Sequence, residues 1–77
     1  MEKELVEYIV KSLVDYPDSV ELNVIEGEKS TILELRVSPD DIGKVIGRQG
    51  RISKSLRTIL SATATKSGKH ASLEILD

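Results

Sequence analysis

The sequence predicts an α+β fold in which a three-stranded mixed sheet carries three helices on one face. Three stretches repeat apolar residues at helical spacing and three others alternate apolar with polar residues, in the order helix, strand, strand, helix, helix, strand. A short turn joins the first two strands, which favours an antiparallel hairpin. Two helices join the second and third strands, which makes a crossover if those strands are parallel neighbours. We therefore expect a single domain over residues 1–77.

The first helix is predicted over residues 2–14, where apolar side chains recur every three or four positions: Leu5, Val6, Ile9, Val10, Leu13 and Val14. Pro17 disfavours the helical conformation at the preceding residue, so the helix ends near Tyr16. Tyr8 and Tyr16 are the only aromatic residues of the chain. They could stack on bases, but we expect them to pack or lie at the surface beside this helix.

The hairpin is predicted from alternating apolar residues at 20–24 and 33–37, joined by a turn at 26–29. Acidic residues such as Glu21 and Glu34 fall on its outer face, which makes the sheet a poor platform for nucleic acid. An RNA-recognition motif needs exposed aromatic residues on its strands, so that fold is disfavoured.

The second helix is predicted to begin at Ser38, which can cap it, followed by Pro39 at the first helical position. Asp40 and Asp41 complement the positive end of the helix. Adjacent helical residues do not face one another, so the two aspartates are not interpreted as a catalytic pair. The helix is expected to end near Ile46, where a four-residue break follows.

The third helix is predicted from Arg51 to about Lys66, with Gly68 as its left-handed cap and a smooth surface at 62–65. His70 is expected to be exposed where the last strand begins. The buried face of the helix is expected to hold Ile52, Leu56, Ile59, Leu60 and Thr63. The last strand is predicted from the alternating residues Ala71, Leu73 and Ile75.

Charge is divided unevenly between the two halves of the chain, although the formal net charge is only −2. Residues 1–41 hold eleven acidic and four basic residues. Residues 42–73 hold no acidic residue and seven basic ones: Lys44, Arg48, Arg51, Lys54, Arg57, Lys66 and Lys69. Any solvated helix carries lysine and arginine, but a segment of this length without an acid favours a functional basic face that attracts a polyanion.

The break between the second and third helices has the composition of a phosphate-binding loop. Gly47 and Gly50 flank Arg48 and Gln49. Because glycine has no Cβ, a nucleic-acid backbone can approach it closely and its φ can be positive. The N-terminus of the following helix has free N–H groups that attract phosphate. Apolar residues adjoin the loop on both sides and could form a shelf for bases: Val45, Ile46 and Ile52.

Several functional classes lack the residues that they need. The glycines at 43, 47 and 50 match neither the dinucleotide fingerprint nor the phosphate loop of NTPases. With no cysteine and one histidine, we expect no disulfide, no metal site, no cofactor and no catalysis. The N-terminal residues are mixed in charge and no apolar run could span a bilayer, so we expect a cytoplasmic protein without a small-molecule substrate.

The element order, with Val45-Ile46-Gly47-Arg48-Gln49-Gly50 between the two later helices, resembles a type II KH domain. It resembles in particular the small single-domain bacterial proteins of the KhpA family. The residues that carry this likeness lie at 38–52 and 56–60, and the resemblance extends over nearly the whole chain. A bare G-x-x-G is weakly specific, whereas one preceded by Val-Ile and placed between two helices is more specific.

The resemblance implies that the protein binds single-stranded RNA, with about four nucleotides held by each domain. It implies that the phosphate backbone is held by Gly47, Arg48, Gln49 and Gly50. It implies a groove for bases lined by Ile42, Val45, Ile46 and Ile52, and peripheral charge from Lys44, Arg51, Lys54 and Arg57. It further implies partners, because KhpA-like proteins dimerise and associate with a larger KH protein of the KhpB (Jag or EloR) type. That pair is linked to RNA chaperoning and to control of cell elongation and cell-wall synthesis.

The loop region departs from the family pattern at one position. Many KH domains have an apolar residue three positions after the second glycine, where this chain has Ser53. An alternative function is a protein-interaction module, in which Val45, Ile46 and Ile52 form a dimer seam and the basic residues meet an acidic partner. The smooth helix surface at 62–65 would suit such close packing.

Overall fold

The computed structural model of the protein describes residues 2–66 and 68–76. The helices are α1 (Glu2–Leu13), α2 (Ile42–Ile46) and α3 (Arg51–Lys66), and the strands are β1 (Glu21–Glu26), β2 (Ser30–Arg36) and β3 (His70–Leu76). Short 3-10 turns lie at Pro17–Ser19, Pro39–Asp41 and Arg48–Gly50. The predicted order of elements is confirmed, and each long element lies within a few residues of its predicted position.

The sheet has the order β1-β2-β3, with β2 in the centre. β1 pairs antiparallel with β2, with Glu21 opposite Arg36, so the predicted hairpin is confirmed. β2 pairs parallel with β3, with Ser30 opposite His70, so the sheet is mixed as predicted. The segment that contains α2, the break and α3 therefore connects two neighbouring strands of one sheet.

The core lies between the helices and one face of the sheet. It is a single cluster to which the helices and all three strands contribute: Val6, Val10, Val20, Leu22, Leu33, Leu35, Val37, Val45, Leu56, Leu60 and Leu73. The other face of the sheet alternates with it and places Asn23, Glu34 and Glu74 side by side in one row across the strands. The two glutamates of this row agree with the prediction that the sheet does not serve as a nucleic-acid platform.

The buried face of α3 agrees with the prediction at Leu56 and Leu60 but not at Ile59. Ile59 was expected to be buried but is 40% exposed. The buried residues are Ser53, Leu56, Leu60 and Ala64. They are spaced three or four residues apart and form one row along the helix, and Ile59 lies about 100° from Leu60 around the helix axis.

The predicted ends of the later helices are largely confirmed. Gly68 has a φ of +73°, and the N–H of Lys69 donates to the carbonyl of Ala64 over 3.1 Å, as in a left-handed helix cap. The Ser38 hydroxyl accepts from the Asp40 N–H at 3.4 Å, but it caps the short 3-10 turn that precedes α2. Tyr8 and Tyr16 are exposed, as expected for surface residues beside α1.

Candidate functional site

The break between α2 and α3 is a tight turn at 47–50 that we call the GRQG loop. Gly47 has φ 76° and ψ 172°, Gln49 has φ 57° and ψ 26°, and Gly50 has a φ of +72°. The Gly50 N–H donates to the Gly47 carbonyl at 3.1 Å, which closes the turn. Arg48 and Gln49 are exposed at its tip, directly before the first turn of α3. The predicted loop therefore exists, with three of its four residues at positive φ.

The two glycines of the GRQG loop are required for different reasons. A Cβ atom on Gly47 would lie 2.6 Å from Cγ1 and 2.9 Å from Cβ of Ile52. The backbone at Gly47 thus packs directly on the Ile52 side chain, and only glycine fits. A Cβ atom on Gly50 would meet nothing closer than the Ser53 Oγ at 3.8 Å, so only the positive φ favours glycine there.

Ser53 connects the loop to α3. Its side chain is buried, and its Oγ donates to the Gly50 carbonyl at 3.1 Å. The departure from the family pattern thus has a structural role here, because an apolar side chain at this position could not make that bond. The sequence signal is a hydroxyl residue three positions after a helix-starting glycine, a spacing at which serine often bonds to the backbone.

The apolar residues next to the loop differ in exposure. Ile46 is 37% exposed, and Ile42 and Ile52 are half-buried, so these three side chains offer surface beside the loop. Val45 is fully buried in the core. Val45 was predicted to lie on the surface of the groove or seam, but its burial in the folded chain means that it cannot line that surface.

The five predicted cations fall into two groups: three lie on the loop and the first turn of α3, and the other two bond to groups elsewhere in the fold. Arg48, Arg51 and Lys54 are exposed on the loop and the first turn of α3. Arg57 lies further along α3, and its Nε donates to the Leu73 carbonyl of β3 at 3.4 Å. The Lys44 Nζ lies 2.9 Å from Oδ2 of Asp15 and 3.7 Å from Oδ1 of Asp41.

Asp41 has a role that sequence reasoning missed. Its side chain is fully buried, and its two carboxylate oxygens accept the backbone N–H groups of Asp15 and Tyr16 at 3.1 Å and 2.9 Å. These two residues follow the end of α1, so Asp41 joins that segment to the start of α2. From its position in the sequence, Asp41 was predicted only to complement the positive end of the helix. No local pattern could reveal partners that lie 25 and 26 residues away.

Comparisons with known proteins identify the family of this chain over nearly its whole length. A family model described as "KhpA/KhpB, KH domain" matches residues 3–75. RNA-binding protein KhpA of Borreliella burgdorferi is 66% identical over 76 residues, which cover 99% of this chain and 93% of that protein. RNA-binding protein KhpA of Clostridium perfringens is 58% identical, covering 96% and 99%, and that of Aquifex aeolicus is 55% identical, covering 97% and 95%. The chain belongs to the KhpA/KhpB family of KH domains.

Membership of the KhpA/KhpB family confirms the resemblance and agrees with the prediction that the chain is not an enzyme, since this is not an enzyme family. The described part of the chain contains no cluster of three His, Cys, Asp or Glu residues that could hold a metal ion. No helix within residues 2–66 or 68–76 combines the length and apolar character needed to cross a membrane.

The pKa of the Asp41 carboxylate in this KH domain is lowered. Burial alone raises its pKa, but the N–H donors of Asp15 and Tyr16 and the nearby Lys44 ammonium outweigh burial, so its pKa lies below the usual value of 3.8. In turn, the hydrogen bond and charge of the Asp15 carboxylate raise the pKa of Lys44 above its usual value of 10.5. Both groups are therefore charged at neutral pH.

We expect the stability of the Asp41→Asn variant to fall less on acidification than the stability of the wild-type protein does. A carboxyl group with a lowered folded-state pKa stabilises the fold above its unfolded pKa, and this contribution disappears as the pH falls through the folded pKa. Asparagine has one acceptor oxygen, so the variant also loses one of the two N–H bonds at every pH.

Urea midpoints at about pH 6 and about pH 3 measure this effect. The fall in midpoint between the two pH values is expected to be smaller in Asp41→Asn than in the wild-type protein. Asp40→Asn is the matched control, because Asp40 is adjacent and exposed. An equal fall in wild type and Asp41→Asn would contradict the assignment.

Proposed function

We propose that this KH domain binds single-stranded RNA, with the phosphate backbone held at the GRQG loop. The observation that carries the proposal is the loop conformation, in which two glycines and Gln49 at positive φ leave Arg48 and Gln49 at an exposed tip. The relatives are named RNA-binding protein KhpA, which supports the same conclusion.

The loop lies where a phosphate group is favoured. It leads directly into the 16-residue helix α3, whose N-terminus carries partial positive charge, while the Arg51 N–H itself donates to the Arg48 carbonyl. Arg48 and Arg51 add full positive charges on either side of Gly50, and Lys54 lies one turn further along. Charge-assisted hydrogen bonds from these groups would hold the backbone without selecting a base sequence.

The bases would lie against the apolar surface of Ile42, Ile46 and Ile52, with Val45 beneath it. No aromatic side chain lies on α2, the loop or α3, since both tyrosines precede β1. Base stacking on aromatic rings is worth about 1–3 kcal/mol per base, so its absence here predicts weak binding with little sequence preference.

A titration of wild-type protein into a short fluorescent single-stranded RNA tests this proposal. Fluorescence anisotropy at several salt concentrations is expected to give a log–log slope of about −0.7 for each phosphate neutralised, or about −2 if Arg48, Arg51 and Lys54 each neutralise one phosphate. Absence of binding, both alone and with a KhpB-type protein present, would rule the proposal out. Binding that appears only with that partner would place RNA recognition in the complex.

We also propose that the domain acts in the cytoplasm as an RNA chaperone or post-transcriptional regulator, as a homodimer or with a KhpB (Jag or EloR) type protein, in control of cell shape and cell-wall synthesis. The family description names the KH domains of both KhpA and KhpB, and the association of the two proteins is what the resemblance to KhpA implies. The exposed Ile46 and Ile59 favour the second candidate function, a protein-interaction module. Self-association measured by sedimentation, in a protein that fails to bind RNA, would favour that function over RNA binding.

A further inference from the structure

We propose that Lys44, Asp15 and Asp41 form a positioning cluster that fixes α2 and, through it, the GRQG loop, and that Lys44 does not contact phosphate. The inference rests on the proposed RNA-binding function and gives Lys44 a different role within it. It follows from the ion pairs of Lys44, from its place on α2 and from the shortness of that helix.

Lys44 is already held by two carboxylates. Its Nζ lies 2.9 Å from Asp15, which is exposed, and 3.7 Å from Asp41, which is fully buried. Asp41 also accepts the backbone N–H of Asp15, so one carboxylate fixes the main chain that presents the other. To bind phosphate, Lys44 would have to leave both carboxylates and leave the buried Asp41 without its cation.

The position of Lys44 on α2 leads to the same conclusion. Ile42 and Ile46 are four residues apart and share one flank of the helix, beside the buried Val45. Lys44 is two residues from each of them, so it lies on the other flank, toward the end of α1. RNA on the isoleucine side of α2 would therefore lie away from Lys44.

Helix α2 needs support from outside itself. It has five residues, whereas isolated helices shorter than about 12–15 residues are marginal in water. Its last hydrogen bond, from the Gly47 N–H to the Gly43 carbonyl at 2.9 Å, leads directly into the GRQG loop. The core contact of Val45 holds one side of α2, and the cluster joins its start and its other flank to the segment after α1. Loosening the cluster would therefore let the loop sample conformations that do not bind.

The test compares Asp15→Asn and Lys44→Gln, singly and together, with Lys44→Arg as the conservative variant. Asp18→Asn is the control for Asp15→Asn, since it makes the same charge change at an exposed residue three positions away. Lys66→Gln is the control for Lys44→Gln, since it removes one charge at the far end of α3. Circular dichroism and thermal midpoints establish that every variant is folded at the assay temperature.

Amide hydrogen exchange in the absence of RNA measures whether the cluster stabilises the conformation of the GRQG loop. Exchange of the Gly47 and Gly50 N–H groups is expected to be at least several-fold faster in Asp15→Asn and Lys44→Gln than in wild type, and unchanged in both controls and in Lys44→Arg. Unchanged loop exchange in the two cluster variants would overturn the inference. This readout stands even if wild type fails to bind RNA, an outcome that would contradict only the proposed function.

RNA affinity then distinguishes a positioning role of Lys44 from a direct contact between Lys44 and phosphate. Asp15→Asn and Lys44→Gln are each expected to weaken binding about threefold to tenfold with an unchanged salt slope, and the double variant no more than either single one. If Lys44 bound phosphate, Lys44→Gln would reduce the slope by about 0.7, and Asp15→Asn would strengthen binding by releasing the lysine. Either result would overturn the inference.

Discussion

The double change Arg48→Asp and Gln49→Asp is expected to abolish RNA binding while the fold remains intact. It replaces one cation and one neutral side chain at the exposed loop tip by two anions, where the proposed function places a phosphate. A hydrogen bond to a charged group is worth about 1.5–3 kcal/mol, so loss of Arg48 alone would weaken binding at least about tenfold. Repulsion from two carboxylates adds to this, and we expect affinity to fall at least about a hundredfold.

The fold should survive this change, because both side chains are exposed and aspartate tolerates the left-handed conformation of Gln49. Anisotropy measures the affinity, and the thermal midpoint reports the fold. Lys29→Asp with Ser30→Asp is the matched control, since it makes the same charge change at two exposed residues of the hairpin. An affinity like that of wild type in the loop variant would exclude the GRQG loop as the phosphate site.

Gly47→Ala is expected to be among the most destabilising single substitutions in this protein. The new methyl group would lie 2.6 Å from Ile52 Cγ1, and the residue would keep a positive φ with an extended ψ, a combination that alanine rarely adopts. Backbone strain of this kind costs about 1–3 kcal/mol and overpacking costs a similar amount. We expect the free energy of unfolding to fall by about 3 kcal/mol or more, a large share of the stability of a small domain.

Gly50→Ala provides the comparison. Its methyl group would meet only the Ser53 Oγ at 3.8 Å, so the cost is that of a left-handed alanine, about 1–2 kcal/mol. Urea denaturation of both variants measures the difference. Equal losses of stability would mean that the contact between Gly47 and Ile52 is not what demands glycine at the first position.

Most of the fold follows from local patterns. The alternation of Leu33, Leu35 and Val37 predicts a half-buried strand because successive strand residues point to opposite faces. The G-x-x-G loop is likewise recognisable, because glycine is the residue that adopts positive φ most readily. These features depend on neighbours within a few positions, which is the information that a sequence displays directly.

The errors and omissions arise where distant segments meet. The exposure of Ile59 and the burial of Val45 depend on how far each helix is rotated against the sheet, which apolar spacing alone leaves open by about one residue. The bonds from Asp41 to Asp15 and Tyr16 join segments that are separate in sequence. Local pattern therefore indicates the GRQG loop but not the bonds of Asp41, which join the start of α2 to the segment after α1.

The parallel pairing of β2 with β3 has a consequence for how the protein is made. Residues 42–66, with the GRQG loop, lie between those strands and leave the ribosome before β3 does. Leu56 and Leu60 of α3 share the core with Leu73, and Arg57 bonds to the backbone of that residue. A nascent or truncated chain that stops before His70 therefore contains every residue of the loop but lacks the strand against which α3 packs. Chains that stop before His70 should thus be proteolysed readily and should bind RNA poorly, because α3 and the GRQG loop that precedes it lack this packing partner.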